Sequence, residues 1–391
     1  MSRLDIFIIN YWCADDTTRT IAHIGPKPDW HFWVIDNSDS DAQWQHLEKK
    51  LAALNGFHIS YERAPSNLGF AKACNLLFAK TQSPFCLLLN PDAQINASAI
   101  EALIKDLERD QERAAVAPLM RWLPDEPWWI PSAQSQHWWH SIGLRLIGTH
   151  PNIFAWAWQQ YYRKQMKIFN TKVFIPQSFL SGAILLIRRS AINALNPQES
   201  LLFDEDFFMY FEDADLSLRL LKAGYRIGIC PSAIASHTYQ HTNHKNALMQ
   251  TSEVYFAKKW FPNVFRNVLL RLKNLRPPAY LYTPHPSPLT SLDELQNLLC
   301  GDELIALSPS PWRMPAIWRH TEHPSVMRLS LAAWNALLPG IYYGVSAIHA
   351  TPKTSYRLIS FEKVKSVHSV DAHNGVAALQ AHNAQDGQLP T

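Results

Sequence analysis

Five carboxylates surround a run of aromatic residues between positions 203 and 213, and this cluster is the strongest chemical signal in the sequence. They are Asp204, Glu205, Asp206, Glu212 and Asp213. Acids in the first turn of a helix are common because the helix dipole stabilises them, and this explains Asp213 and Asp215 well. It explains poorly why so many acids stand beside aromatic side chains, where removing a charge from water is costly. We therefore expect a functional carboxylate here, presented by the start of a helix.

A second acid, Asp92, follows a strand of apolar residues and should project from the edge of a sheet. A hard divalent cation is typically held by one or two carboxylates, with substrate phosphate oxygens and water completing its shell. Asp92 suits such a site if the substrate is a diphosphate. The alternative is a simple Asn-Pro-Asp turn that leads into a helix at Asn96.

His237 ends another strand-like segment and is a candidate to complete the ligand shell at Asp92. Two further histidines, His241 and His244, follow it. No cysteine or acid lies at a spacing that would make the three histidines a zinc site, so we do not expect dedicated zinc binding.

Three further segments have residues that suit a nucleotide or sugar ligand. Asp36 ends a strand, where acids of dinucleotide-binding folds accept hydrogen bonds from ribose, although an Asp-Asn-Ser turn is the alternative. The segment 67–72 opens a helix with Asn and Gly and carries Lys72, which suits phosphate, but Asn is also a common helix cap. The small residues of 181–183 permit close approach of a ligand to the backbone, and also suit an ordinary strand entry.

The first 120 residues alternate between strand and helix periodicity. We predict strands at 4–10, 31–36, 57–62, 85–90 and 114–118, and helices at 15–24, 40–53, 69–80 and 96–109. Further strands are predicted at 183–187, 226–229 and 233–237, with helices from the acidic cluster to 223 and over 244–260. This alternation predicts an α/β fold with a Rossmann-like, mostly parallel sheet flanked by helices. Ligands of such sheets bind beyond the carboxyl ends of the strands.

The composition limits the class of protein. The formal net charge of +3 is too small to indicate nucleic-acid binding, and no segment has the roughly 20 apolar residues of a membrane-spanning helix. The first residues lack the layout of a signal peptide, and the five cysteines show no pairing or metal spacing. We interpret the chain as cytoplasmic.

Residues 121–172 form an aromatic and basic insert. No Asp or Glu occurs between Glu126 and Glu199, and seven of the fifteen tryptophans lie between Arg121 and Asn170. A helix over 153–169 would place five apolar residues on one face and its basic residues elsewhere. Those apolar residues are Ala155, Trp158, Tyr162, Met166 and Phe169. The stripe suits the membrane surface, and it equally suits a helix that covers the sheet or an acceptor groove.

The remaining sequence suggests further divisions of the chain. We predict a main domain at 1–270 and a proline-rich linker at 271–290. A small accessory domain of unknown role at 291–365 begins with a capping-box sequence and contains strand-like segments at 303–307 and 356–364. Residues 366–391 have the composition of a disordered tail.

Taken together, these motifs occur in an order that resembles the family 2 inverting glycosyltransferases of the GT-A fold, in particular their rhamnosyltransferase-like branch. The resemblance covers about residues 3–260. The segments that carry it are Asp36-Asn37-Ser38, Asn67-Leu68-Gly69-Phe70-Ala71 with Asn75, Leu88-Leu89-Asn90-Pro91-Asp92, Ser181-Gly182-Ala183, Phe208-Met209-Tyr210-Phe211-Glu212-Asp213, Ala223-Gly224-Tyr225 and His237.

The resemblance implies a role for each of these residues. Asp213 would be the catalytic base, with Glu212 beside it, and Asp92 and His237 would hold Mg²⁺ or Mn²⁺. The nucleotide sugar would contact Asn10, Asp36, Asn67, Gly69, Phe70, Lys72, Asn90 and Asp92. Ser181, Gly182 and Ala183 would contact the donor or acceptor sugar.

By this resemblance the donor is dTDP-rhamnose-like or a UDP-sugar, and the acceptor is a cell-surface glycan or a lipid-linked glycan, which suits a location on the inner face of the cytoplasmic membrane. Trp12, Lys72-Ala73 and the segment 193–197 depart from the family pattern and leave the donor open.

Two other functions stay open as well. One is a nucleotidyltransferase of the same fold, although Arg19 is the only basic residue in its expected phosphate loop at 10–20. The other is a non-catalytic subunit that binds glycan or membrane.

Overall fold

Strands and helices alternate through the first part of the chain in the computed structural model. It describes residues 2–126, 128–131, 142–143, 146, 151–195, 201–238, 243–272, 281–299, 304–309, 317–320, 330–350 and 353–364. The first elements are β1 (Leu4–Asn10), α1 (Ala14–Ile24), β2 (Trp30–Asp36), α2 (Asp41–Ala52), β3 (Ile59–Arg63), α3 (Gly69–Lys80), β4 (Phe85–Leu89), β5 (Ala93–Ile95), α4 (Ala97–Glu108) and β6 (Arg113–Arg121). β1 and β4 are buried throughout because helices cover both faces of the sheet.

The middle of the chain completes the sheet that the first part begins. Its elements are β7 (Trp129–Ile130), α5 (Pro151–Asn170), β8 (Ile175–Pro176), β9 (Ile184–Arg188), α6 (Arg189–Leu195), α7 (Glu212–Lys222), β10 (Arg226–His237), α8 (Asn243–Trp260) and α9 (Asn263–Leu272). The strand order is β3-β2-β1-β4-β9-β6, and β10 lies beside β6. β1 to β4 are parallel, as are β6 and β10, whereas β9 runs antiparallel between β4 and β6. The predicted α/β fold with a mostly parallel sheet is confirmed.

The predicted elements differ from the observed ones at β10 and at β5. The strands expected at 226–229 and 233–237 are one strand, β10, whose register with β6 shifts between Cys230 and Ile234. An irregularity of this kind lets a strand continue through a local bend, so the proline at 231 does not end it. β5 was not predicted, since its three residues are too short to show a period.

The C-terminal elements extend the same sheet. They are β11 (Thr283–Pro284), α10 (Leu292–Leu299), β12 (Leu304–Ser308), β13 (Ile317–His320), α11 (Leu331–Ala336), β14 (Gly340–Ala350) and β15 (Lys353–Lys363). β12, β13, β14 and β15 form an antiparallel unit that joins the main sheet where Trp318 of β13 pairs with Trp129 of β7. One face packs with α10, α11 and two tryptophans of the insert, Trp122 and Trp128. The expectation of a disordered tail falls on residues outside the described ranges.

Helix α5 connects the two cores of the molecule. Phe154, near its start, packs with Tyr282 and Trp318 on the other face of the C-terminal sheet, and Ile168, near its end, belongs to the main core. The side chains of the five residues predicted to share an apolar face lie outside the description. The outward face has Trp156, which is 60% exposed. In the described part of the chain, none of the helices has the length and hydrophobicity needed to cross a bilayer.

The contrast between the two aromatic residues of α5 gives a stability test. Replacing Phe154, which is 3% exposed, by Ala should lower the free energy of unfolding by about 3 kcal/mol, because it leaves a cavity against Tyr282 and Trp318. The matched change Trp156→Ala removes a solvent-facing ring and should cost less than about 0.5 kcal/mol. Urea unfolding measures both. Equal losses would contradict the described packing of α5.

Candidate active site

Asp213 lies at the start of α7, and the backbone orients its carboxylate. Its Oδ2 accepts a hydrogen bond from the amide of Gly182 at 3.0 Å, and its Oδ1 accepts one from the amide of Ala214 at 2.8 Å. Burial raises the pKa of Asp213 to about 6, although both amide hydrogen bonds oppose this. A carboxylate with a raised pKa, held by two amides beside a strand end, is suited to accept a proton near neutral pH.

Glu212 precedes Asp213 but has a different environment. It is buried, and its Oε2 has no hydrogen-bond partner among the described residues. Burial, followed by the negative charge of Asp213, raises the pKa of Glu212 well above its usual value. Two neighbouring carboxyl groups that differ in this way divide their roles: burial and the charge of Asp213 favour the protonated form of Glu212, while Asp213, with a pKa of about 6, is mostly ionised at neutral pH.

A strained turn leads into α7. Tyr210 has φ 70° and Phe211 has φ 66°, which is the left-handed region that glycine normally occupies. Each such residue costs on the order of 1–3 kcal/mol and persists only where surrounding contacts hold it. Strain of this kind, next to a desolvated carboxyl group, is characteristic of functional sites.

The loop before this turn is attached to α3. The amide of Phe70 donates to the carbonyl of Phe208 at 2.7 Å. Gly69 has φ +77°, and a Cβ there would lie 2.3 Å from the Phe208 carbonyl oxygen, so this close approach requires glycine. Asn75 bonds both backbone groups of Phe203 at 2.9 Å. The sequence motif included Asn75, but its anchoring role became visible only from the fold.

Asp36 is buried at the end of β2 beside the end of β1. Its Oδ1 accepts hydrogen bonds from Asn10 at 2.9 Å and from the hydroxyl of Ser38 at 2.6 Å, while its Oδ2 has no partner in the part of the chain that the structure describes. Asn10 also accepts from the hydroxyl of Thr17 at 2.9 Å. Asn10 therefore supports Asp36 from inside the protein. An unpartnered buried oxygen is costly, and a ligand donor would relieve that cost.

The segment 67–72 lies beside Asp36, as the sequence predicts. Asn37 donates to the side chain of Asn67 at 3.0 Å and accepts from the amide of Leu68 at 2.8 Å. These bonds fix the start of α3 next to the end of β2. Lys72 is exposed on α3.

Asp92 and His237 meet at the same edge of the sheet. Nε2 of His237 lies 3.1 Å from Oδ1 of Asp92, and the antiparallel pairing of His237 with Ala93 brings them together. The hydroxyl of Thr20 donates to the carbonyl of Pro91 at 2.7 Å and so holds the turn that carries Asp92. In the described ranges, no cluster of three or more His, Cys, Asp or Glu residues could hold a metal ion. The pair fits a hard cation whose other ligands come from substrate phosphate and water.

Backbone hydrogen bonds at the strand ends connect the turn that carries Asp92 with Asp213. The amide of Asn90 donates to the carbonyl of Ala183 at 2.8 Å, and the next residue back, Gly182, donates to Asp213. A short path of backbone contacts therefore links the Asp92 turn to the carboxylate of Asp213. Ser181 is exposed beside Gly182. The end of β4, which leads to Asp92, and the entrance of β9, which contacts Asp213, are therefore neighbours at one edge of the sheet.

Helix α8 also supports this region, and sequence reasoning missed it. Tyr255 and Lys259 both contact Asp204, at 3.0 and 2.5 Å. Their spacing of four residues places them on one helical face, which is the signal that could have found them.

The raised pKa of Asp213 predicts an effect on stability. A carboxyl whose pKa is raised from 3.8 to about 6 on folding binds its proton more tightly in the folded state. The free energy of unfolding therefore falls as pH rises through that interval, and the loss persists above it. Asp213→Asn should be more stable than wild type by up to about 3 kcal/mol at pH 7, and the difference should vanish below about pH 4. Urea unfolding at several pH values measures this.

Asp204→Asn is the control, because it should change the free energy of unfolding in the opposite direction. Burial raises the pKa of Asp204, but the hydrogen bond from Lys259 and further contacts outweigh burial and lower it overall. Asp204→Asn should therefore destabilise the protein at pH 7, and the loss should shrink as pH falls through the lowered pKa. If Asp213→Asn also destabilised the protein at pH 7, the interpretation of Asp213 as a desolvated carboxylate would be wrong.

Comparisons with known proteins show which proteins this chain is similar to. Two curated relatives are the N-acetylglucosaminyl-diphospho-decaprenol L-rhamnosyltransferases of Mycobacterium tuberculosis strains CDC 1551 / Oshkosh and ATCC 25618 / H37Rv. Each is 30% identical over 196 residues, which are 46% of this chain and 59% of the relative. The chain therefore spans less than two thirds of the length of these relatives.

Solved structures also resemble the chain. A mannosyltransferase from Pyrobaculum calidifontis, solved with GDP-Man and Mn²⁺, has a TM-score of 0.45 and 13% identity, covering 71% of this chain and 69% of its own. GalNAc-T7, solved with UDP, GalNAc and Mn²⁺, has a TM-score of 0.48 and 13% identity, covering 69% and 50%. The model of the family described as glycosyl transferase family 2 matches residues 5–195. Residues 5–195 are therefore similar to glycosyl transferase family 2, in agreement with the resemblance that the motifs carry.

Proposed function

We propose that the chain is a metal-dependent inverting glycosyltransferase. It would transfer a sugar from a nucleoside-diphosphate donor to a hydroxyl of a lipid-linked or cell-surface glycan. The observation that carries this proposal is the carboxylate of Asp213, held by the amide of Gly182 on the sheet edge that also has Asp92 and His237. The family 2 match and the rhamnosyltransferase relatives support the same activity.

Asp213 is the general base of the proposed reaction. It takes the proton of the acceptor hydroxyl as the oxygen attacks the anomeric carbon, and the bond to the nucleoside diphosphate breaks in the same displacement. One displacement inverts the configuration at that carbon. The pKa of about 6 leaves Asp213 mostly ionised at neutral pH, yet basic enough to assist the transfer. Glu212, neutral and buried, serves in packing beside the base.

The donor nucleotide would lie across the ends of β1 and β2. The unpartnered Oδ2 of Asp36 suits an N–H of a base or a hydroxyl of ribose. Asn67, Gly69 and Phe70 would form the wall of the nucleotide site next to Asp36. Lys72 is exposed one turn further along α3, where its positive charge would attract an anionic donor towards this site. Because the relatives are named as L-rhamnosyltransferases, a dTDP-rhamnose-like donor is favoured over a UDP-sugar.

Asp92 and His237 would hold Mg²⁺ or Mn²⁺ against the donor diphosphate, with Asn90 lining the same turn. A bound divalent cation supplies charge neutralisation for the departing diphosphate. The two side chains are also arranged so that His237 keeps Asp92 oriented, at 3.1 Å. The backbone of Gly182 and Ala183 contacts Asp213 and Asn90, and the exposed Ser181 next to them would contact the transferred sugar.

Transfer assays test the proposed activity. Wild type should turn over dTDP-rhamnose or a UDP-sugar with Mg²⁺ or Mn²⁺, and EDTA should remove the activity.

Asp213→Asn should lower the rate by about 10²–10⁴-fold at unchanged nucleotide affinity, because only the base is lost. Glu212→Gln should stay within about tenfold of wild type, because a buried neutral acid is replaced by a neutral amide. The wild-type rate should fall as pH drops below about 6.

The same assays separate the alternatives. A nucleotidyltransferase would join a nucleoside triphosphate to a sugar phosphate and release pyrophosphate. Such an enzyme would need a basic loop, but Arg19, the basic residue of that loop, pairs with Asp16 at 2.6 Å on the surface of α1. A non-catalytic subunit would bind nucleotide and turn over no donor. Full transfer activity in Asp213→Asn would exclude the proposed base.

A membrane surface is the second partner that we propose. The outward face of α5 has Ile153 and Trp156, which are exposed, followed by the exposed Lys164 and Lys167. A tryptophan at the headgroup level beside lysines is the usual arrangement of a helix that lies on an anionic bilayer. This face differs from the apolar stripe predicted from sequence. Membrane contact would bring the site to an acceptor like that named for the relatives, a diphospho-decaprenol.

Vesicle co-sedimentation tests membrane contact. Trp156→Ala should weaken binding to phosphatidylglycerol vesicles by about tenfold, because a large apolar side chain leaves the interface. Lys164→Gln should weaken it by about fivefold on anionic vesicles and leave phosphatidylcholine binding unchanged. Val264→Ala is the control, since Val264 is an exposed apolar residue on α9. Equal effects of Trp156→Ala and Val264→Ala would contradict the proposed surface.

A further inference from the structure

One face of α8 contacts the acidic loop along its length. The hydroxyl of Ser252 donates to the carbonyl of Met209 at 2.7 Å, and the hydroxyl of Tyr255 donates to Asp204 at 3.0 Å and Asp206 at 2.8 Å. These positions recur at three-residue and four-residue intervals, so they share one helical face. We name the residues Ser252, Tyr255, Phe256 and Lys259 the α8 clamp.

Lys259 joins two parts of the site that are separate in sequence. Its Nζ lies 2.5 Å from Oδ2 of Asp204, in the loop, and 2.6 Å from Oδ1 of Asp215, in α7. Asp215 is fully buried and also accepts hydrogen bonds from Arg219 at 2.8 Å and Trp260 at 2.9 Å. The ammonium of Lys259 therefore ties the loop to the helix that carries Asp213, two residues before Asp215.

This connection spans the strained turn. Tyr210 and Phe211 have positive φ angles and lie between the two acids that Lys259 bridges. Phe211, the N-cap residue of α7, makes no side-chain capping hydrogen bond, so contacts from other elements support this end of the helix. Phe256 of the clamp contributes, with its ring centroid 5.3 Å from that of Phe211. Strained backbone of this kind persists only where neighbouring groups over-determine it.

We infer that Lys259 is a positioning residue for the base. Without the ammonium, Asp215 keeps its ion pair with Arg219 but the loop at Asp204 loses its tie to α7, the turn relaxes, and Asp213 moves away from the amide of Gly182. This inference rests on the proposed function for its kinetic consequence. The structural consequence, a loosened contact between Gly182 and Asp213, does not depend on any activity. Lys259 lies outside the matched family region, 5–195.

The kinetic test compares two adjacent lysines. Lys259→Met should lower kcat by about ten- to a hundredfold with little change in donor KM or nucleotide affinity, because a small displacement of a catalytic group has effects of this size. Lys259→Arg, which keeps the charge, should recover most of the rate. Lys258→Met is the control, since Lys258 is exposed on the same turn. A kcat for Lys259→Met within twofold of Lys258→Met would overturn the inference.

Amide hydrogen exchange provides a second measurement, without substrate. In Lys259→Met the amide of Gly182 should exchange about tenfold faster than in Lys258→Met, because its acceptor on Asp213 is no longer held. Unchanged exchange at Gly182 in Lys259→Met would overturn the inference, whether or not the wild-type protein has transferase activity. Faster exchange in Lys259→Met, found together with an inactive wild-type protein, would overturn only the proposed function.

If Lys259→Met does not fold, Lys259→Gln takes its place. This change removes the ammonium and its ion pairs with Asp204 and Asp215 while keeping a polar side chain. The same faster exchange at Gly182 and the same loss confined to kcat are expected. Wild-type values for both would overturn the inference.

Discussion

The desolvation of one carboxylate is the constraint on which the rest of the site depends. Asp213 must carry a negative charge at neutral pH in a place that burial makes unfavourable for charge. The fold compensates with two backbone amides, one from Gly182 at the entrance of β9 and one from Ala214 in the first turn of α7. Amides supply this stabilisation without adding a countercharge, so the carboxylate stays basic.

The position of Asp213 in turn depends on elements that are distant in sequence. Gly182 is placed by β9, which pairs with β4, and α7 is placed by the turn at Tyr210 and Phe211. Asn75 on α3 holds the loop before that turn, and α8 holds it from the other side. Since each contact is long-range, the site exists only when the whole α/β core is assembled.

The aromatic residues of the tryptophan-rich insert differ in their burial. Among those that the structure describes, Trp122 and Trp128 pack under the C-terminal sheet, and Phe154 packs on the opposite face. Trp156 is the described aromatic residue of α5 that faces outward. Composition alone does not separate these cases, because a buried aromatic stripe and a membrane-facing one have the same residue types. Only burial distinguishes them.

Much of the fold could be predicted because it is encoded locally. The apolar runs of β1 and β4 predict buried parallel strands, and helix periodicity predicts α3 at its observed bounds. β14 was missed, and the bend of β10 was interpreted as a break, because strand pairing and register shifts leave little trace in a short window.

The sequence by itself indicated which residues could carry the chemistry, and it placed Asp36 and Asp92 after strands, since parallel strands bring their carboxyl ends to one edge. Asp213 starts α7 and meets that edge through the amide of Gly182, at the entrance of the antiparallel strand β9. Tertiary structure decided their states. The amide of Gly182, the burial of Glu212 and the ammonium of Lys259 come from residues without a local signal. Electrostatic environments depend on distances in space, and these are set only when separate elements pack together.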